Sequence, residues 1–244
     1  MTPREDSTSP KTLAGAWRMF FSYASPWVLI TSFLAALTFR SMFPHIGIGD
    51  LLLTAGIASA WPILEWLIHV YILHARPFSI GSRWHFDSLT AVKHRDHHRH
   101  PSDLRTAFIP LHAYLLAIPL ACFTFYATMP TLALTFTGLA AFFGFALHYE
   151  WVHFLVHTRY VPRTKRYRRL RQNHRRHHFK HERFWMDVST QLGDRIFRTS
   201  PPVAQVATSP TCYSLGVPSP DDSPTSGAAS GAARATKQRT ILLP

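Results

Sequence analysis

Four long apolar runs dominate the chain and restrict what it can become. Residues 20–39 carry no charged side chain, and residues 51–73 are interrupted only by Glu65 and His69. Residues 106–129 are uncharged, with His112 near their start, and residues 131–149 end beside His148. At ~1.5 Å per helical residue, each run reaches across the ~30 Å of a bilayer's hydrocarbon core. They are apolar on all faces, as lipid-facing helices are. Pro26, Pro62, Pro110 and Pro119 lie in or beside them, which a membrane helix tolerates when neighbours satisfy the freed carbonyls. Only 16% of the 244 residues are charged, against roughly 25% in soluble domains. A large soluble helical core is disfavoured, because four such runs are hard to bury in so short a chain. A cleaved signal peptide does not fit either: the first run is too long and no small-residue cleavage site follows it.

The expected fold is therefore all-α: an integral membrane bundle of four transmembrane helices with a cytosolic, helical, His-rich cap. Segments 75–106 and 158–199 hold 6 and 13 Lys/Arg, whereas the opposite side carries only Arg40. Basic segments stay on the cytoplasmic side, so the multi-pass chain is expected to keep both termini and the cap there. Residues 1–15 and the Ser/Thr/Pro/Ala/Gly-rich residues 200–244 read as disordered tails, leaving 16–199 as the membrane-embedded domain. Two cysteines, Cys122 and Cys212, exclude a disulfide scaffold and Cys-based metal sites.

The 16 histidines are bunched in two matching sets. Glu65-Trp66-Leu67-Ile68-His69 is followed by His74 and then by His94, His97 and His98. Glu150-Trp151-Val152-His153 is followed by His157 and then by His174, His177 and His178. Within each HxxHH group the three imidazoles share one helical side, and His153 and His157 stand at i and i+4. His69 and His74, at i and i+5, lie apart on a regular helix and require a local distortion or a wider cluster. All ten can meet at one cytosolic interface. Ten neutral imidazoles without a cation would leave nitrogens unpaired, and ten charged ones would repel. Imidazole suits Zn, Cu, Fe or Ni, and one tetrahedral zinc needs only four ligands. Ten donors suggest two metals with about five each and open positions for a reactant.

His148 and His181 are further candidates. His45, His85, His100 and His112 fall outside the pattern, with His112 placed to hydrogen-bond between helices. Glu65 and Glu150 read as acceptors that fix the tautomer of a ligand. A basic patch for anionic lipid or nucleic acid, the non-enzymatic alternative, explains the Arg/His runs but not His69 and His153 at the ends of apolar helices.

The stretches "EWLIHVYILH", "HRDHH", "HYEWVHFLVH" and "NHRRHH" resemble the histidine boxes of the fatty acid hydroxylase/sterol desaturase superfamily, and "WMDVSTQLGDRIFRT" resembles that family's ending. The likeness covers roughly residues 60–200. It implies a monooxygenase with a non-haem di-iron centre, where zinc can replace the two irons in purified protein, and O2 as co-substrate. By motif, the ligands would be His69, His74, His94, His97, His98, His153, His157, His174, His177 and His178. The substrate would be a bilayer lipid (fatty acyl chain, sterol or carotenoid), hydroxylated or desaturated. Electrons are expected from a separate cytochrome b5-, ferredoxin- or flavoprotein-type donor, and no nucleic acid is expected as a partner. Arg76, Arg83, Arg159 and Arg163 would serve an anionic headgroup or the donor. Thr90 stands where the superfamily's fatty-acid 2-hydroxylases often carry another histidine, which points away from a ceramide-type 2-hydroxylase.

Overall fold

The computed structural model describes residues 8–218, and these are mostly helical. Helix α1 (Leu13–Phe20) starts at Thr12, whose hydroxyl accepts from the Gly15 amide. Helix α2 (Ala24–Ser41) follows at a bend of 79°. Pro26 sits in the first turn of α2; its ring would clash with the Ser22 carbonyl of a continuous helix, so the helix is restarted there. The expected first span at 20–39 is thus broken near its start.

Helix α3 (Ile48–Ile68) runs without interruption into a wider turn, His69–Leu73, closed by the His74 amide on the His69 carbonyl at 3.0 Å. A short antiparallel hairpin, β1 (Phe78–Ile80) and β2 (Trp84–Phe86), precedes helix α4 (Leu89–Arg99). The all-α expectation is corrected by this hairpin, whose three-residue strands are too short to register as alternation. Helix α5 (Leu111–Thr128) and helix α6 (Leu132–His157) form the next pair, and α7 (Lys165–Phe179) and α8 (Leu192–Ile196) complete the order.

Among the described residues, Ile48–Leu73, Leu104–Thr128 and Leu132–His157 are long and apolar enough to cross a membrane; the bent pair α1–α2 makes four if it counts as one span. The chain is a multi-pass membrane protein. Helix α6 is the pillar: Leu29, Trp61, Tyr114, Leu139 and Phe143 bury against one another where α2, α3 and α5 meet it. It runs two turns beyond the apolar run because no Pro or Gly interrupts residues 145–157, and those turns carry His153 and His157. At the opposite end Arg40 is paired with Asp50 at 2.9 Å and bonded to Thr137. The one cation of that side is buried in a pair, as a charge at this depth requires.

Residues 200–218 depart from the expected tail. The Ser209 amide donates to the Lys180 carbonyl at 2.7 Å, the Thr211 hydroxyl to Glu182 at 2.6 Å, and Arg99 to the Val217 carbonyl at 3.0 Å. Val206, Cys212 and Leu215 are buried. Residues 8–15 likewise pack, with Ser9 buried and bonded to the Arg159 amide. Residues 1–7 and 219–244 lie outside the described residues.

Candidate metal centre

Ten buried or half-buried histidines gather where the ends of α3 and α6 meet α4 and α7. They form two groups: His69, His74, His94, His98 and His177, and His97, His153, His157, His174 and His178. In each group one nitrogen per ring lies within 4.8 Å of the others. The groups are neighbours, with the His98 and His178 rings 4.2 Å apart between them.

The grouping does not follow the sequence halves. Each HxxHH helix gives its first and last histidine to one group and its middle one to the other, so His97 and His177 change places. Helix geometry explains the exchange. At about 100° per residue, His94 and His98 lie some 40° apart, whereas His97 and His98 diverge by a full 100°. The two helices straddle the seam between the groups. The wide turn at His69–Leu73 supplies the distortion that the i, i+5 pair needs, and brings the His69 and His74 rings to 4.8 Å. Such turns are frequent at functional sites.

The outer nitrogens are assigned by the backbone. His98 Nδ1 donates to the Cys212 carbonyl at 2.9 Å, His177 Nδ1 to Phe184 at 3.0 Å, and His157 Nδ1 to Pro101 at 2.9 Å. His69 Nδ1 donates to the Met186 carbonyl, and His97 Nδ1 meets the Thr106 hydroxyl at 3.1 Å. A carbonyl only accepts, so in each neutral carbonyl-bonded ring Nε2 carries a lone pair. His98 Nε2 and His177 Nε2 then face each other at 3.2 Å, lone pair to lone pair. Nε2 of His74, His97 and His153 is buried without a partner among the described residues. Burial, reinforced by surrounding imidazoles, holds His74, His94, His97, His174 and His178 well below the usual histidine range. These rings are neutral, the form that binds metal. Converging lone pairs and orphaned nitrogens in a dry site fit a cation at each group.

Glu65 and Glu150 act one step further out than expected. Neither bonds to a histidine. Glu65 accepts from the Val188 and Ser189 amides and the Ser189 hydroxyl, anchoring the loop whose Met186 carbonyl holds His69. Glu150 accepts from the Ile109 amide at 3.0 Å and from Ser25, anchoring the segment whose Ala107 carbonyl holds His153. The two acids repeat the same device in the two halves.

His148 lines a cavity between α2, α3 and α6, and His181 lies beside Glu182 at 3.6 Å; neither joins a group. His85 bonds Ser79, His100 bonds Asp96, and the His45 carbonyl caps Arg40. His112 Nε2 finds no partner among the described residues, so the expected interhelical bond is not made there. Sequence reasoning missed Cys212 and Phe184, whose backbone carbonyls orient His98 and His177. Every residue carries a backbone carbonyl, so no side-chain pattern signals these two.

The site places the chain among membrane proteins whose helix ends present paired poly-histidine clusters. The fatty acid hydroxylase family model matches residues 54–199, and the chain belongs to that family. It is 27% identical over 166 residues to a dihydroceramide fatty acyl 2-hydroxylase of Arabidopsis thaliana, covering 68% of this chain and 65% of that one. It is 29% identical over 201 residues to the fatty acid 2-hydroxylase of Homo sapiens, covering 79% and 50%. The chain thus spans half to two thirds of the length of these relatives. A solved structure of full-length scs7p, in which only the hydroxylase domain is visible, superposes with a TM-score of 0.56 at 16% identity, covering 83% of this chain and 71% of that one. That likeness concerns the fold. Relatives named as 2-hydroxylases run against the expectation drawn from Thr90.

Proposed function

We propose that the protein is an O2-dependent hydroxylase of a fatty acyl chain, using a non-haem di-iron centre. One metal would be held by His69, His74, His94, His98 and His177, the other by His97, His153, His157, His174 and His178. The observation that carries the reading is the His98–His177 contact, with both Nδ1 atoms committed to carbonyls and both Nε2 lone pairs facing at 3.2 Å. A buried arrangement of that kind is unfavourable unless a cation lies among the nitrogens of that group. The bound pair would supply activation of O2 by a redox metal, so that RH + O2 + 2 electrons + 2 protons gives ROH + H2O.

The chain's own residues do the rest. Backbone carbonyls of Met186, Cys212, Phe184 and Pro101 fix the rings with Nε2 inward. Glu65 and Glu150 hold the loops behind His69 and His153, restraining the donors as outer partners do at metal sites. Trp66 stacks on Phe197 at 3.9 Å and its indole donates to Thr199, closing the site over α8. Five nitrogens fall short of the six donors of an octahedral ion, which leaves room for a reactant.

The relatives favour an acyl substrate over a sterol or carotenoid, and hydroxylation next to the carboxyl carbon over desaturation. The Lys/Arg distribution supports a basic cap on the cytoplasmic side of a four-span bundle. Reducing equivalents come from a cytochrome b5-, ferredoxin- or flavoprotein-type donor.

The test is turnover by purified protein in lipid nanodiscs loaded with ferrous iron, supplied with reductant and ¹⁸O2. One labelled oxygen in an acyl lipid is expected, with about two metals per chain that fall toward one on His177→Ala, whose histidine belongs to a single group. Lipid cleavage that persists without O2 and reductant would replace oxygenation by hydrolysis. Sub-stoichiometric metal unaffected by the substitution would leave the non-enzymatic reading, a basic face binding anionic lipid or a partner.

A further inference from the structure

Between His74 and α4 the chain forms its one sheet among the described residues. Phe78 pairs with Phe86, Ser79 with His85 and Ile80 with Trp84, and the turn passes through Gly81 at φ +61°. Side chains alternate along a strand. Phe78, Ile80, Trp84 and Phe86 therefore share one face, while Ser79 and His85 share the other, bonded at 3.0 Å. The apolar face is bare: these residues are 54%, 66%, 70% and 58% exposed. A lone two-stranded hairpin is marginal in water, so this face needs a cover.

Three observations bear on what covers it. The hairpin begins five residues after Leu73, the end of a candidate span. Five extended residues reach at most ~18 Å, which keeps the strands near the membrane boundary. Exposed Tyr71 and Ile72 on the last turn of that span, and exposed Leu89 at the start of α4, extend the apolar surface on both sides. Arg76 and Arg83 are exposed at the base and the tip of the hairpin, cations that suit lipid phosphates, beside a tryptophan of the kind enriched at interfaces. The mounting is rigid. Arg95, buried between His94 and His97, donates to the Ala75 carbonyl at 3.0 Å and pairs with Asp87, clamping both ends of the hairpin to α4.

We infer that the β1–β2 hairpin is an interfacial membrane anchor. Its apolar face inserts into the leaflet beside the histidine groups, with Arg76 and Arg83 at the lipid phosphates. Because Arg95 ties it to α4, the anchor sets the height of three candidate ligands above the bilayer. The inference rests on the membrane-embedded reading but not on the metals.

The test is nitroxide labelling of the full chain in nanodiscs of phosphatidylcholine and phosphatidylserine. Single labels at Ile80→Cys or Ser79→Cys are placed in a Cys122→Ala/Cys212→Ser background. Native Cys122, exposed on α5, labelled in Cys212→Ser, is the in-membrane reference. Collision rates with O2 and with a water-soluble nickel chelate are compared. The Ile80 label should follow Cys122, several-fold more accessible to O2 than to the chelate, and the Ser79 label should show the reverse. Equal chelate access at Ile80 and Ser79 would put the hairpin in water and overturn the anchor. An Ile80 label shielded from both reagents would mean a protein cover, and would overturn it too. An aqueous Cys122 would instead sink the membrane-embedded reading itself.

Discussion

The exchange of His97 and His177 between groups separates this geometry from any assignment that gives one metal to each half of the sequence. Two double substitutions expose the difference. His97→Ala/His153→Ala removes two donors from a single group and leaves the other whole. His98→Ala/His153→Ala removes one donor from each. Losing a metal site's outer partner alone costs 10–100-fold in affinity, so a lost ligand costs at least that, about 1.4–2.8 kcal/mol at 1.4 kcal/mol per factor of ten. The first variant should then show one unaltered site and one weakened by about 10²–10⁴, whereas the second should show two sites weakened by about 10–100-fold each. Competition titration of the metal-free protein against a chelator of known strength reads both, as a split curve for the first variant and a uniformly shifted one for the second. If each metal belonged to one half of the chain, His97 and His98 would serve the same ion and the two curves would coincide. Coincident curves refute the grouping.

Other outcomes follow from single contacts. Glu65→Ala strands two buried amides and a hydroxyl, at about 1–3 kcal/mol per unsatisfied group. Metal affinity should fall at the group holding His69 and stay unchanged at the other, as the same chelator competition reports. Gly193→Ala would place a Cβ 2.7 Å from the Pro62 carbonyl and 2.5 Å from Asp187; overpacking of this kind costs about 1–3 kcal/mol, measurable as a lower unfolding midpoint in detergent. Asp187 is pushed up to about 8 by burial and then by Asp194 and Glu65. The folded state therefore holds a proton that the unfolded chain has released, and stability should decline as pH rises from about 4 to 8, then level off. The span of that decline is of order 5 kcal/mol at about 1.4 kcal/mol per pH unit. Asp187→Asn should flatten it, and a denaturation series across that pH range checks the sign. Truncation after residue 208 removes the Cys212 carbonyl from His98 and should weaken the group containing His98 more than the other; equal loss at both would deny the tail its role.

What the sequence makes legible is periodic, and what it hides depends on contacts between distant segments. The spacing of His94, His97 and His98 announces a helix side rich in donors, and the apolar runs place that side at the membrane's edge. The division of the donors into two groups needs a second object to face, namely the ends of α3 and α6. The same 100° per residue that makes the trio look unified also turns His97 away from His98 once two targets exist. The i, i+5 spacing of His69 and His74 was visible as a conflict with a regular helix, and a conflict of that sort locates a distortion without giving its form. The segment after residue 200 misleads for a different reason. Ser, Thr and Pro lower its apolar content to the level of a disordered chain, yet a buried imidazole needs only one carbonyl to fix its tautomer, and any residue provides a carbonyl. Backbone groups leave no compositional trace, so the parts of the site built from Met186, Cys212, Phe184 and Pro101 are silent in the sequence, whereas those built from histidine are plain. A site made of side chains and aimed by backbone is therefore half readable: the donors can be named in advance, and their aim becomes apparent only when the loops that hold them are in place.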